Sequence, residues 1–132
     1  MALTRKGSAI TNGRFLKADV LSFPIMELQQ LQNRALEVRE QYTEYECRFT
    51  KEWSNLNIMD GFVGDVGDLM KLVMAKEGLR KIDDVDAKLA HELADCLWCV
   101  FVLAKKYNVD LEKEFLATMS QLEKGIQKKL SA

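Results

Sequence analysis

Four carboxylates at two matched spacings are the side chains of this 132-residue chain best suited to chemistry. Asp65-Val66-Gly67-Asp68 and Glu92-Leu93-Ala94-Asp95 each set two acids at i and i+3, on one side of a helix and within reach of each other. Both pairs interrupt strongly apolar segments. Two like charges about 4 Å apart repel by roughly 4 kcal/mol at an effective dielectric near 20, so a converging set must protonate or recruit a cation. Hard oxygen donors suit Mg²⁺, with Mn²⁺ as the alternative, and Mg²⁺ commonly bridges carboxylates to substrate phosphates. The competing reading is a solvated acidic stripe salt-bridged to Lys71, Lys88 or Lys105.

Other residues add possible contacts. Trp53 and Asn57 flank a turn, where an aromatic face and an amide suit a nucleobase; the alternatives are a core plug and a helix cap. Trp98 reads as core and His91 as surface. Cys47, Cys96, Cys99 and His91 make a formal Cys₃His set, but inside a continuous helix the Cys96-Leu97-Trp98-Cys99 spacing reads as two small buried residues. Gly61, Gly64 and Gly67 each cost a helix roughly 1 kcal/mol relative to alanine, and close approach of another helix is the expected compensation.

These residues need helices to position them. Leu28, Leu31, Ala35, Val38, Tyr42, Tyr45 and Phe49 form an apolar stripe predicting one helix up to about Trp53 with a charged opposite face. Asn55-Leu56-Asn57 breaks the pattern, and a second helix is predicted from Ile58 to near Gly78. Asp83-Asp84 caps a third, running to Tyr107 and stopped by Asn108, and Asp110 caps a fourth carrying Leu111 to Ile126. The expected fold is all-α, an antiparallel four-helix bundle. Apolar surface left by one copy predicts completion by homo-oligomerisation, as a homodimer or homotetramer. Residues 1–24, with Gly7, Gly13 and the single proline Pro24, read as an N-terminal arm preceding a helical domain over 25–132.

A formal net charge of -1 argues against a nucleic acid duplex as partner. No apolar run approaches a membrane span and no signal peptide is evident, so a cytoplasmic protein is expected. Three cysteines, an odd number, suit reduced thiols.

Gly64-Asp65-Val66-Gly67-Asp68-Leu69, Glu92-Leu93-Ala94-Asp95-Cys96-Leu97-Trp98 and Val109-Asp110-Leu111-Glu112 together resemble the MazG-like all-α NTP pyrophosphohydrolases, particularly the small dCTP pyrophosphatase type. The resemblance spans about residues 28 to 126. It implies Mg²⁺ held by Asp65, Asp68, Glu92 and Asp95, and cleavage of a nucleoside triphosphate between the α and β phosphates. Lys76 aligns with a family lysine and implies a phosphate contact, with a solvated lysine at a helix end as the alternative. Lys124 is the lysine retained from the family's C-terminal signature. Aspartates replace the family's glutamates at 65 and 68, one methylene shorter, and Leu122 stands where a polar contact is the family pattern. The expected function is therefore a metal-dependent nucleotide pyrophosphohydrolase. Alternatives are a dUTP-type or other NTP/NDP hydrolase of the same fold, or a non-catalytic nucleotide- or partner-binding helical oligomer.

Overall fold

The computed structural model describes residues 26–131, so the expected arm lies outside them. The chain forms four helices, α1 (Leu28–Phe49), α2 (Asn55–Lys76), α3 (Val85–Lys106) and α4 (Leu111–Leu130), with no strand among the described residues. No helix among them is long and apolar enough to cross a membrane.

Several helix ends are local hydrogen-bond devices placed where expected. After α2, Gly78 at φ 77 lets its own N–H reach the Ala75 carbonyl and that of Leu79 reach Met74. This is a Schellman closure, which glycine enters at little steric cost. Asn108, at φ 55, repeats the device after α3, with Val109 N donating to Ala104 O at 2.8 Å. The Asp110 side chain caps α4 by accepting from Lys113 N at 3.1 Å. Asp84 is the N-cap residue of α3, but it stands in the left-handed region and its side chain accepts no capping hydrogen bond.

The turn between α1 and α2 departs from expectation at both ends. α1 stops at Phe49, because the Trp53 N–H donates to the Glu46 carboxylate at 2.9 Å instead of continuing the helical ladder. α2 begins at Asn55, three residues early: Ser54 Oγ accepts from Asn57 N at 3.2 Å while Asn57 Oδ1 accepts from Ser54 N at 3.0 Å. The reciprocal capping box makes a helix start from residues that read as a break.

α2 and α3 run antiparallel across a seam. Lys76 of α2 pairs with Asp86 of α3 near the connecting turn, and Asp65 meets Cys99 farther along. α1 lies antiparallel on α3, with Gln32 Nε2 donating to Phe101 O and Trp98 Nε1 to Ala35 O. The buried apolar residues are Ile58 and Leu72 of α2 and Cys99, Phe101, Val102 and Ala104 of α3. Val102 is the most enclosed at 1% exposure, and its burial contributes roughly 1.5–3 kcal/mol.

One copy of the chain leaves most of the apolar stripe of α1 uncovered, as expected, with Ala35 and Val38 half-buried. Leu28, Leu31, Tyr42, Tyr45 and Phe49 are exposed, whereas Arg39 and Glu46, from the face expected to be solvated, are buried. The two stripes stand roughly a quarter turn apart. A bidentate Arg39–Glu46 pair, at 2.7 and 2.8 Å, is what makes the charged face buriable. α4 buries none of its residues, and Phe115, Leu116, Met119, Leu122 and Ile126 stay exposed. Close helix approach does not explain the glycines either. A methyl group at Gly64 or Gly67 would meet nothing within 4 Å, and one at Gly61 would meet the Trp53 ring at 3.4 Å.

Candidate functional site

Along α2, Ile58, Phe62, Asp65, Leu69 and Leu72 recur by four and three as its less exposed face; along α3, Val85, Leu89, Glu92, Cys96 and Cys99 do the same. Asp65 and Glu92 therefore occupy seam positions that a helix pair normally fills with apolar side chains. Both are half-buried, as is Asp95 beside them. Asp68 is not. Three residues beyond Asp65, it turns off the seam and pairs with Lys71 at 2.6 Å, with 56% of its side chain exposed. For this one acid the solvated, salt-bridged reading holds.

The other three acids share an electrostatic neighbourhood. Burial pushes the Cys96 thiol above its usual range, and the charges of Asp65, Glu92 and Asp95 push it further. Cys99 is raised to about 12, by burial first and then by Asp65, whose Oδ2 accepts from the thiol at 3.6 Å. The cysteines are free thiols; of the two small residues expected to be buried in the helix, Cys99 is buried and Cys96 half-buried.

A cleft of about 370 Å³ opens over this seam. Its walls are Arg39, Tyr42 and Glu46 of α1, Trp53 of the turn, Ile58, Gly61 and Asp65 of α2, and His91, Asp95, Trp98, Cys99 and Val102 of α3. Asp65 and Asp95, from different helices, thus face one cavity together with Trp53. Asp68 and Glu92 do not line it.

Two further residues line the same cavity, His91, exposed as expected, and Trp98. His91 Nε2 lies 3.1 Å from Asp95 Oδ2, so the lone histidine is a direct partner of a candidate ligand. Trp98 is half-buried rather than core, its ring 5.8 Å from that of Tyr42. The signal for both was their spacing from Asp95, four residues before and three after, which puts them on its side of the helix. Arg39 and Glu46 carried no comparable signal. Their burial depends on how α1 is rotated.

The remaining predicted contacts fall elsewhere. The Asn57 side-chain oxygen accepts from Ser54 N and Oγ in the capping box. Lys76 Nζ pairs with Asp86 at 2.5 Å, and Lys124 is exposed on α4. Neither lysine lines the cleft.

Among the described residues, no three His, Cys, Asp or Glu side chains stand close enough to hold a metal ion as they are placed. Asp65, Asp68 and Asp95 have turned to Cys99, Lys71 and His91 respectively. Comparison with protein-family models, with curated proteins and with solved structures finds no match.

Proposed function

We propose that the chain is a metal-dependent nucleotide pyrophosphohydrolase of the MazG-like all-α kind, converting a nucleoside triphosphate to the monophosphate and pyrophosphate. The observation that carries this reading is the meeting of Asp65 and Asp95, from two helices, in one cleft with an exposed aromatic face, Trp53. The position of cleavage, between the α and β phosphates, rests on the resemblance of the three acidic and Val-Asp-Leu segments.

Carboxylate oxygens are the donors that a hard divalent cation takes, and Asp65, Glu92 and Asp95 bring them half-buried from two facing helices. These three would hold Mg²⁺ or Mn²⁺, joined by Asp68 on release of Lys71. The contacts to be exchanged are weak, since exposed ion pairs such as Asp68–Lys71 contribute ~0–1 kcal/mol. When bound, the metal supplies charge neutralisation on phosphate oxygens and makes the attacking water more acidic. The chain's own groups do the rest. Trp53 and Tyr42 offer aromatic faces to a base. His91 reaches Asp95 at 3.1 Å and helps to orient it at the cleft edge.

The test is purified protein with Mg²⁺ or Mn²⁺ and a broad nucleotide panel, with products separated and identified. Monophosphate and pyrophosphate should appear in equal amounts and vanish on chelation. Asp95→Asn should lower turnover at least about 10-fold, the low end of what loss of even an outer-shell partner of a metal ligand costs, with helical circular dichroism unchanged. If no nucleotide is hydrolysed, the enzyme reading fails. The aspartates at 65 and 68, each one methylene shorter than the family's glutamates, and Leu122 in place of a polar contact motivate a second reading, a nucleotide-binding module without turnover. Calorimetry showing nucleotide binding with no product would select it.

The same proposal includes a homodimer or homotetramer. Support comes from the exposed apolar face of α4 and from Val63, Val66, Met70 and Val73 of α2, a larger apolar expanse than a monomer usually leaves in water. Light scattering should give two or four times the monomer mass, reduced by Leu122→Asp with Ile126→Asp; a monomer at all concentrations would refute it.

A further inference from the structure

The acidic seam does not use the buried ion pair beneath the cleft. Arg39 Nη1 and Nη2 donate to Glu46 Oε1 and Oε2, with side-chain exposures of only 7% and 6%. Glu46 Oε2 also accepts from the Trp53 N–H at 2.9 Å. In the turn between α1 and α2, Trp53 is thus tied to a buried side chain, and a methyl group at Gly61 would meet its ring at 3.4 Å. Trp53 is nevertheless 46% exposed and lines the cleft together with Tyr42 and Trp98.

Burying two charges is costly, and an apolar pair of similar volume commonly stabilises a fold as well or better. An apolar pair, however, offers no acceptor to the Trp53 N–H. A lone buried glutamate would offer one, but only at the cost of an uncompensated charge. Glu46, neutralised by Arg39, supplies the acceptor without that cost.

We propose that Arg39 and Glu46 are positioning residues for a flat heterocyclic ligand: they fix the backbone of Trp53, and the cleft presents a preformed stacking face. Holding an aromatic ring in place before the ligand arrives removes an ordering cost from binding. The identity of the ligand as a nucleotide rests on the reading above; the placement of Trp53 does not.

The test uses the full chain with Trp98→Phe, which leaves Trp53 as the sole tryptophan. Three changes are made in it. Gly61→Leu displaces the ring while improving helix propensity and leaving the ion pair intact. Arg39→Met removes the neutralising partner. The exchange Arg39→Glu with Glu46→Arg retains opposite charges but removes the acceptor. Two readouts follow: acrylamide quenching of Trp53 without ligand, and calorimetric affinity for an α,β-imido nucleoside triphosphate against inorganic tripolyphosphate, both with Mn²⁺.

Gly61→Leu and the charge exchange should each raise the quenching of Trp53. They should weaken the nucleotide analogue about tenfold, the low end of what loss of one base–aromatic stack produces, with tripolyphosphate unchanged. A merely structural pair gives another pattern: the pair variants melt earlier, yet quenching and the nucleotide-to-tripolyphosphate ratio stay at parental values. That pattern overturns the proposal, as does a Gly61→Leu protein that binds the analogue like its parent. If the parent binds neither compound, the nucleotide reading fails, and quenching alone decides whether the pair positions Trp53.

Discussion

Arg39→Met should be among the most destabilising single substitutions in this chain. The guanidinium makes two charge-assisted hydrogen bonds to Glu46, at 2.7 and 2.8 Å, and both side chains are more than nine-tenths buried. Without Arg39, the Glu46 carboxylate keeps only the Trp53 N–H and remains enclosed. Stripping one partner from a buried pair costs about 3–5 kcal/mol, a large share of the ~5–15 kcal/mol that holds a typical domain together. Arg39→Met with Glu46→Leu removes both charges and leaves the Trp53 N–H without its acceptor, a penalty of roughly 1–3 kcal/mol. The double variant should therefore be no less stable than Arg39→Met alone, and the coupling in a double-mutant cycle should exceed about 2 kcal/mol. Urea unfolding followed by helical circular dichroism, at one fixed protein concentration, reads these differences. Single substitutions costing under ~1 kcal/mol and adding without coupling would refute the reasoning, because that is how a solvated surface pair behaves.

The same pair predicts an acid limb of stability. Hydrogen bonds from Arg39 hold the Glu46 carboxyl below its usual range, against the upward push of burial and with help from the Trp53 N–H. The unfolded chain thus binds that proton more readily, so the stabilisation is complete above the ordinary glutamate pKa and is lost as pH falls through the lower folded value. Melting measured from neutral pH downward should show this loss, and an unchanged limb in Arg39→Met would count against it. Gly78→Ala should lower stability by about 1 kcal/mol, because φ 77 is strained for any residue with a Cβ; a unchanged urea midpoint would contradict it. With its thiol pushed up to about 12 and enclosed, Cys99 should resist alkylation at mildly alkaline pH while exposed Cys47 reacts. Peptide mass spectrometry before and after denaturant checks this, and equal labelling rates in the native protein would disprove it.

Much of the architecture was legible in one dimension because it is built from contacts between near neighbours. Gly78 and Asn108 end helices through backbone bonds spanning a few residues, and Asp110 caps α4 within its own first turn. Such signals survive without knowledge of the rest of the chain. The α1–α2 turn was misread where a local reading gave way: Ser54 and Asn57 cap each other, and the loop before them answers to Glu46, seven residues upstream of Trp53. Asn57 suits either a base contact or a helix cap, and it closes the capping box that starts α2.

The acids divide along the same line. An i, i+3 spacing says that Asp65 and Asp68 lie on one side of α2, and likewise Glu92 and Asp95 on α3. It does not say which member faces the other helix, since the two positions are separated by a sixth of a turn. Packing against α3 put Asp65 into the seam and left Asp68 to Lys71. The face of α1 was decided in the same way. Its apolar stripe is plain in the sequence, yet the stripe that packs on α3 contains Arg39 and Glu46, which become buriable only when each neutralises the other. Helix identity and helix ends follow from the sequence because short-range hydrogen bonds set them; helix rotation follows from the tertiary structure because it minimises the free energy of all three packed helices at once.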